Sequence, residues 1–339
     1  MNGSWSWLNA LIGSVINKTI YTCGTATLQI YDAYNQHRFK YFGEASVVSI
    51  LQAFITIVHP VSLYTRLVSI SSEALEHLVY ASLVYLLVCL IIYSVISRSK
   101  TLRSTRLPWL SMKKRILFVT SHPDDECMFF GPLIYTLTAY TDCIVYILCL
   151  SNGNYENLSY KRREELWSAC QNLGIPEANI ILVNATNLPD DPNVEWRTET
   201  VANFMLHTVE TLGIQALVTF DREGVSQHPN HCAVYYAAAS LCLTNLLPKD
   251  CKLYALDSIN IVRKYLSIFD IMCTCVMSKY WCLLNWQQAA VVRNAMRQHK
   301  TQMKWFRCLY IFCSRYMFIN SIREVNLADI ELEMQIQEP

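Results

Sequence analysis

Hydrophobic residues form one long run in this 339-residue chain, followed by short apolar runs that alternate with helical patterns. The long run covers residues 78–97 and contains no charged side chain. Its length of about 20 residues, at a rise of about 1.5 Å each, is enough to cross a hydrocarbon core of roughly 30 Å. Arginines and lysines follow it closely, whereas Glu73 and Glu76 precede it. The run therefore predicts an N-terminal transmembrane helix whose downstream side faces the cytoplasm.

This helix divides the chain into five predicted parts. They are an N-terminal extension (1–77), the helix (78–97), a basic linker (98–112), a globular domain (113–323) and a solvated acidic tail (324–339). The extension contains a further apolar stretch at 45–63, which His59 and Pro60 interrupt. Such a stretch fits a second span, a re-entrant piece or an amphipathic surface helix, and we assign no function to the extension.

Beyond residue 113 the pattern changes to short β-rich runs separated by helical periods. The predicted strands are 115–120, 143–150, 179–184, 216–220 and 252–256, and the predicted helices are 131–140, 160–173, 196–212 and 230–246. Continuously apolar strands that alternate with helices favour a parallel sheet covered on both faces. With right-handed crossovers, this order predicts an α/β fold with a Rossmann-like, doubly wound and mostly parallel sheet. No GxGxxG motif follows the first strand, so a dinucleotide site is not supported.

A second apolar region covers residues 265–284, where Asp270 and Lys279 interrupt it. A charge-broken stretch of this kind favours a membrane-surface or core segment over a second full span.

Composition narrows the class of protein further. Hydrophobic residues make up 53% of the chain and charged residues 16%, which favours a membrane-associated globular protein over a disordered one. Lys plus Arg total 28 and Asp plus Glu total 27, so the chain has no overall attraction for nucleic acid. The 14 cysteines are scattered without CxxC pairs, as expected of a reduced, cytosol-facing protein.

Two polar motifs follow predicted strands. His122-Pro-Asp-Asp-Glu126 comes directly after the first strand, and His228-Pro-Asn-His231 comes just after the fourth. Loops at the carboxyl ends of strands in a doubly wound sheet meet where the strand order reverses. We therefore expect these two motifs, which are distant in sequence, to converge on one site.

The side chains of the two motifs suit metal-dependent hydrolysis. Two imidazoles and one carboxylate around an open position form a hydrolytic zinc site, although Fe²⁺ or Mn²⁺ fits the same ligands. A water bound to such a metal has a pKa lowered to roughly 7. One carboxylate then remains to accept the proton of that water, and one histidine remains to stabilise an oxyanion or protonate a leaving amine. These groups together are sufficient to hydrolyse an amide.

The two motifs resemble those of the LmbE-like zinc deacetylases. The resemblance extends over residues 116–320 and includes SNGNY at 151–155, LPDDP at 188–192, VRKY at 262–265 and LYIFCSRYMFINS at 309–321. The last two motifs are more similar to the branch that acts on N-acetylglucosaminyl-phosphatidylinositol than to soluble bacterial members. Gln227 departs from the family, which usually has glycine just before the second motif.

The resemblance implies a role for each of several residues. The implied metal ligands are His122, Asp125 and His231. The implied catalytic residues are Asp124, as the general base, and His228, which stabilises the oxyanion and helps the amine to leave. The implied substrate-binding residues are Arg162, at the phosphate or polyol part, and Asp190, at a sugar hydroxyl, with Asp191 as the alternative to Asp190. His299 and Gln302 resemble a family motif near the pocket.

The expected function is that of a membrane-anchored, zinc-dependent amidohydrolase. Its substrate would be the glycolipid N-acetylglucosaminyl-phosphatidylinositol, and its products acetate and glucosaminyl-phosphatidylinositol, in the second step of GPI-anchor synthesis. The resemblance also implies the endoplasmic reticulum membrane, with the catalytic domain on the cytoplasmic side. Two alternatives are a deacetylase of a soluble N-acetylglucosamine conjugate and a catalytically silent membrane scaffold that binds glycolipid.

Overall fold

The structure is a computed structural model that describes residues 60–98, 107, 113–154, 157–191 and 193–335. The chain divides into two units, Met1–Val84 and Tyr85–Pro339. Most of the predicted extension and nearly all of the predicted basic linker lie outside the described residues.

A single long helix, α1 (Pro60–Arg98), begins the described part of the chain. Its section Ser72–Arg98 is the one helix among the described residues that is long and apolar enough to cross a membrane. Leu78 and Leu83 in the first unit, like most side chains of this section, are exposed, whereas a core helix would be buried. The prediction of an apolar N-terminal helix at 78–97 is confirmed as a candidate span.

The second unit is built around one seven-stranded sheet. Its strands are β1 (Arg115–Thr120), β2 (Ile144–Cys149), β3 (Ile180–Leu182), β4 (Ala216–Thr219), β5 (Lys252–Leu256), β6 (Tyr280–Leu283) and β7 (Ile319–Glu324). They lie in the order β3-β2-β1-β4-β5-β7-β6, and the first five are mutually parallel. The strand order reverses between β1 and β4, which pair directly, and this position is the topological switch point.

Helices cover both faces of this sheet and close its ends. They are α2 (Asp125–Met128), α3 (Gly131–Tyr140), α4 (Ser159–Asn172), α5 (Thr198–Leu212), the irregular turn α6 (Gly224–Gln227), α7 (Pro229–Leu243), α8 (Ile261–Tyr265), α9 (Ile271–Met277), α10 (Trp286–Met296), α11 (Trp305–Cys313) and α12 (Leu327–Gln335). Short 3₁₀ turns occur at Glu177–Asn179, Ser267–Asp270, Lys300–Gln302 and Arg315–Met317.

The five predicted strands and the four predicted helices are all present, within about two residues at most ends. The doubly wound, mostly parallel sheet is therefore confirmed. Sequence analysis missed the antiparallel pair β6 and β7 at one edge. It also missed α12, which occupies much of the expected solvated tail. There Ile330 is buried, and the Glu333 carboxylate accepts a hydrogen bond from Tyr235 at 2.5 Å. One apolar position per turn is enough to dock this acidic helix on the core.

Strand β7 also fixes the segment that carries the first motif. The amide of Asn320 accepts from the Leu133 backbone N–H at 3.0 Å and donates to the Phe129 carbonyl at 2.7 Å. Phe129 lies in the connection between α2 and α3 and Leu133 in the first turn of α3, where Gly131 allows the backbone to approach Val292 of α10 closely. A Cβ at position 131 would overlap Val292 Cγ1.

We expect Gly131→Ala to destabilise the protein by about 1–3 kcal/mol, because the added methyl group overpacks the contact between α3 and α10. Thermal unfolding of the full chain in detergent measures this change. In the double variant with Val292→Ala, part of the loss should be recovered, since the shorter side chain removes the overlap. Strictly additive losses in this double-mutant cycle would contradict the proposed contact.

Candidate metal centre and active site

The two polar motifs meet at the switch point of the sheet. The first follows β1 and begins α2 at Asp125, and the second follows α6 and places Pro229 in the first turn of α7. The ring centroids of His122 and His231 lie 5.7 Å apart. The predicted convergence of the two loops is therefore confirmed.

Asp125 and His231 form the centre of this site. Asp125 Oδ2 accepts the backbone N–H groups of Ser121 at 3.0 Å and His122 at 2.8 Å, so Oδ1 is left to face His231 Nε2 at 3.3 Å. His231 Nδ1 lies 3.0 Å from the Gly224 carbonyl, and this contact requires the ring proton on Nδ1. Neutral His231 thus presents the lone pair of Nε2 to a carboxylate oxygen.

Two buried acceptors that face each other require a positive charge between them. His231 Nε2 has no hydrogen-bond partner of acceptable geometry among the described residues. His122, Asp125 and His231 each offer one potential metal-ligating atom, and these three atoms lie within 4.8 Å of one another. All three residues are buried. Two ligands on a tetrahedral zinc are about 3.4 Å apart, close to the separation seen here for Asp125 and His231. The donor set and its spacing therefore fit a divalent cation.

The pKa shifts of Asp125 and His231 agree with a positive charge between these two side chains. Burial favours the neutral carboxyl, but the imidazoles of His231 and His122 together hold the pKa of Asp125 below its usual range. Burial also favours neutral His231, but Asp125 and the Gly224 carbonyl raise its pKa above the ordinary value. Both directions favour a positive charge beside Asp125, whether the second proton of His231 or a bound cation. The flat face of Phe220 stacks on the His231 ring, with centroids 4.0 Å apart, and fixes its plane.

His122 is oriented by two neighbours. Its Nε2 lies 3.1 Å from Asp190 Oδ1 and 3.0 Å from the Asn230 side-chain amide. In the neutral ring, Nε2 faces both an acceptor, Asp190 Oδ1, and a donor, Asn230 Nδ2, while Nδ1 lies 3.9 Å from Asp125 Oδ2. Burial lowers the pKa of His122 and favours this neutral form.

Asp124 lies beside the three candidate ligands and has a strained backbone, with φ at 129°. Its backbone N–H donates to Glu126 Oε2 at 3.0 Å, and its carboxylate forms an ion pair with the Arg307 guanidinium of α11. Both ends of the residue are therefore fixed, with the carboxylate lining the pocket.

A fully buried pair, Glu126 and His299, supports the backbone of Asp124. Glu126 Oε1 lies 2.6 Å from His299 Nε2, and both side chains are inaccessible to solvent. Burial would lower the pKa of His299, but the Glu126 carboxylate raises it, which favours a charged pair. Cys127 is next to this pair, and burial raises the pKa of its thiol well above the usual value. We therefore interpret His299 as a supporting residue and Cys127 as a packing residue.

His228 lies across the pocket from Asp124. Its ring stacks on His231 with centroids 4.7 Å apart, and its Nδ1 is buried without a hydrogen-bond partner in the described part of the chain. Burial, followed by the neighbouring imidazoles of His231 and His122, lowers the pKa of His228 to about 4.

Arg162 and Asp190 form an ion pair at another wall of the pocket. Arg162 Nη1 donates to Asp190 Oδ2 at 2.7 Å and to the Gly153 carbonyl at 3.1 Å, while Nη2 donates to the Pro123 carbonyl at 2.9 Å. The guanidinium thus connects Asp190 to the loop that carries the first motif. A Cβ at Gly153, where φ is +70°, would lie 2.5 Å from the guanidinium carbon. The Arg162 fork positions Asp190, and direct contact of Arg162 with substrate stays a prediction.

All seven candidate residues line one cavity of about 510 Å³. Lys264, Tyr265, Lys304 and Phe306 contribute to the same cavity from α8, α11 and the residue just before α11, and Gln302 also lines it. Its walls are therefore mixed in character, with ionic groups, aromatic rings and two lysines.

Sequence analysis missed Arg307, Asn230 and Phe220 as parts of this site. Asn230 lies inside the second motif, so its position was a usable signal. Phe220 is the last residue of the predicted fourth strand, which the second motif follows. An aromatic ring packed against that motif could therefore have been predicted. Arg307 carries no local signal, because only the packing of α11 brings it to Asp124.

Gln227 adopts a left-handed conformation, with φ at 57°. Glycine is favoured in this region because a side chain there costs about 1–2 kcal/mol. Gln227 therefore adopts a conformation that glycine favours, at a cost in backbone strain.

The chain is similar to several known proteins. The family model described as "PIG-L: GlcNAc-PI de-N-acetylase" matches residues 117–242. The N-acetylglucosaminyl-phosphatidylinositol de-N-acetylase of Bos taurus is 42% identical over 209 residues, which cover 61% of this chain and 82% of the bovine one. A probable N-acetylglucosaminyl-phosphatidylinositol de-N-acetylase of Dictyostelium discoideum is 33% identical over 244 residues, covering 63% and 94%. The solved N,N'-diacetylchitobiose deacetylase of Pyrococcus horikoshii aligns with a TM-score of 0.48 at 16% identity, over 63% of this chain and 85% of that one.

We expect His231→Ala and Asp125→Asn to lower the divalent metal content of the purified full chain by at least about tenfold, because each removes a proposed ligand. Elemental analysis by mass spectrometry measures this without reference to activity. His207→Ala, at an exposed position on α5, is the matched control and should keep the wild-type content. Equal metal content in all the variants would show that the cluster does not hold the ion.

Proposed function

The chain belongs to the GlcNAc-PI de-N-acetylase family, and from this premise we propose how its pocket hydrolyses the acetamide of N-acetylglucosaminyl-phosphatidylinositol. The products are acetate and glucosaminyl-phosphatidylinositol. This reaction is the second step of GPI-anchor synthesis. The observation that carries the proposal is the buried cluster of His122, Asp125 and His231, with the carboxylate of Asp124 in the same cavity.

The proposed cofactor is a divalent cation held by His122, Asp125 and His231. Zinc suits this set of two imidazoles and one carboxylate best, and Fe²⁺ or Mn²⁺ are the alternatives. When bound, the cation would polarise the amide carbonyl and lower the pKa of a water molecule to roughly 7, so that hydroxide is available as the nucleophile.

Asp124 is the proposed general base. Its carboxylate lines the cavity beside the three proposed ligands, and the ion pair with Arg307 holds it there. It accepts the proton of the attacking water and returns that proton to the leaving nitrogen as the C–N bond breaks. The amine leaves with a neutral nitrogen, and the second proton of the water leaves the new carboxyl group as acetate forms, to be taken up by the amine or by solvent.

His228 is the proposed oxyanion-stabilising residue. Its buried Nδ1 lacks a partner among the described residues, so its ring has hydrogen-bonding capacity to offer the substrate. A donated N–H stabilises the negative charge that develops on the carbonyl oxygen.

Asp190 is the proposed acceptor for a sugar hydroxyl. The ion pair with Arg162 and the contact with His122 Nε2 hold the carboxylate at the cavity wall. The same residue therefore orients both a proposed metal ligand and the sugar, which aligns the acetamide with the cluster.

The proposed location is the endoplasmic reticulum membrane. The exposed apolar helix α1 supports membrane association, and the relatives named for the glycolipid reaction support this compartment. The basic residues that follow α1 favour a cytoplasmic position for the pocket. The proposed partners are this glycolipid and the membrane, without nucleic acid.

We expect Asp124→Asn to lower turnover by about 10²–10⁴-fold, the loss typical of a missing general base, while metal content is retained. Acetate release from radiolabelled substrate, together with elemental analysis, measures both quantities. Asp142→Asn, at an exposed position just before β2, is the matched control and should behave as wild type. A silent scaffold would show no turnover in the wild type and no effect of Asp124→Asn.

Membranes containing the protein should release acetate from the lipid-linked substrate, and a chelator should abolish this release because the cation activates both water and carbonyl. The same assay with N-acetylglucosamine carried by inositol alone separates the second alternative. Higher turnover of that soluble conjugate than of the lipid-linked form would favour the soluble-substrate enzyme.

A further inference from the structure

An exposed apolar surface borders the mouth of the catalytic cavity. We name as the docking face the residues Val262, Val276, Met277, Trp305, Leu309 and Phe312. These side chains are between 55% and 85% exposed. Clustered large apolar side chains of this kind mark an interaction surface in a soluble domain.

The helices that carry this face are connected to one another. Arg263 Nη1 of α8 lies 3.5 Å from the Met277 sulfur at the end of α9. The Lys264 ammonium of α8 lies 5.8 Å from the ring centroid of Tyr310 on α11. Side chains of α8 and α11, including Tyr265 and Phe306, also line the cavity. The docking face therefore adjoins the route by which a substrate enters.

The position of this face along the candidate membrane span follows from two hydrogen bonds. The Tyr85 hydroxyl donates to the Phe269 carbonyl at 2.8 Å, and the Cys89 thiol donates to the same oxygen at 3.3 Å. Tyr85 precedes Arg98, at the basic end of α1, by a length of about 20 Å of helix. Phe269, just before α9, thus contacts α1 well inside the candidate span Ser72–Arg98.

A third contact lies nearer the basic end of α1. The Tyr93 hydroxyl donates to the Leu284 carbonyl at 3.3 Å, and Trp286 nearby is 59% exposed. An exposed tryptophan at this level is typical of a membrane–water interface. Tyr85 lies farther than Tyr93 from the basic end of α1, so α9 lies deeper along the candidate span than the start of α10.

The buried charge at the deeper level, Asp270, is paired, as a lipid environment requires. Asp270 is fully buried and accepts from Arg263 Nε at 2.6 Å and from Thr274 Oγ1 at 2.9 Å, with Arg315 Nε at 3.1 Å. The Asp270 carboxylate is therefore directed into the protein, whereas Lys279 and the apolar side chains of Val276 and Met277 are exposed.

We propose that the docking face enters the phospholipid bilayer beside α1, so that the cavity opens among the lipid headgroups. The proposal rests on the proposed function only for the lipid-linked substrate, whose sugar enters the cavity while its acyl chains stay in the bilayer. Lys264 and Lys304 at the cavity wall suit the anionic phosphates of this layer.

Photolabelling tests the insertion directly. The full chain is placed in vesicles of phosphatidylcholine and phosphatidylinositol that carry a diazirine on an acyl chain, and adducts are mapped by peptide mass spectrometry. We expect adducts on α9 and α11 as well as on α1, and none around Leu246, an exposed apolar residue after α7. Adducts confined to α1, or as abundant at Leu246 as on α9, would overturn the proposal.

Charge substitution tests the consequence for turnover. The double variant Val276→Glu with Leu309→Glu should lose roughly tenfold or more on the lipid-linked substrate in vesicles, because carboxylates resist entry into lipid. The headgroup without acyl chains should turn over as in the wild type, and Leu246→Glu should change neither rate. Unchanged lipid-linked turnover in the double variant, or an equal loss on both substrates, would overturn the docking role.

The two proposals fail in different ways. A wild-type protein that takes acyl-chain labels on α9 and α11 but deacetylates neither substrate would remove the proposed function and support the docking face. A protein that deacetylates the lipid-linked substrate but takes no label outside α1 would support the proposed function and remove the docking face.

Discussion

Two hydrogen-bond acceptors, Asp125 Oδ1 and His231 Nε2, face each other 3.3 Å apart in a buried space, and the rest of the site depends on this arrangement. Burying opposed lone pairs costs free energy unless a positive charge lies between them. The pairing of β1 with β4 forces the two loops together, while the Gly224 carbonyl and the Phe220 ring hold the imidazole in this orientation. The fold thus favours a positive charge at this position, which the proposed divalent cation would supply.

Much of this arrangement could be predicted from the sequence, because its signals are local. The five parallel strands are continuously apolar, and the chemistry follows the ends of two of them. The antiparallel strands β6 and β7 were missed for a different reason. Tyr280–Leu283 lies in an apolar stretch that resembles a membrane-surface segment, and its partner Ile319–Glu324 is separated from it by two helices. Pairing at this range depends on tertiary contacts, which a single sequence does not display.

The site also stores strain that no sequence pattern indicates. Asp124 has φ at 129° and Gln227 has φ at 57°, conformations that cost of order 1–3 kcal/mol each. Neighbouring contacts offset this cost. The Glu126 carboxylate accepts the Asp124 backbone N–H, and the Asn320 amide fixes the chain that follows α2. Strained residues held this way cluster where a side chain must be aimed, here the carboxylate of Asp124.

Helix α11 carries an ion pair with a wider consequence. Arg307 contacts the Asp124 carboxylate, while Trp305 and Leu309 of the same helix are exposed. One rigid element therefore connects the outer surface with the Asp124 carboxylate, over little more than a single turn. A substitution that unfolds this helix would remove the ionic partner of Asp124, whereas a substitution confined to its exposed side leaves that pair in place.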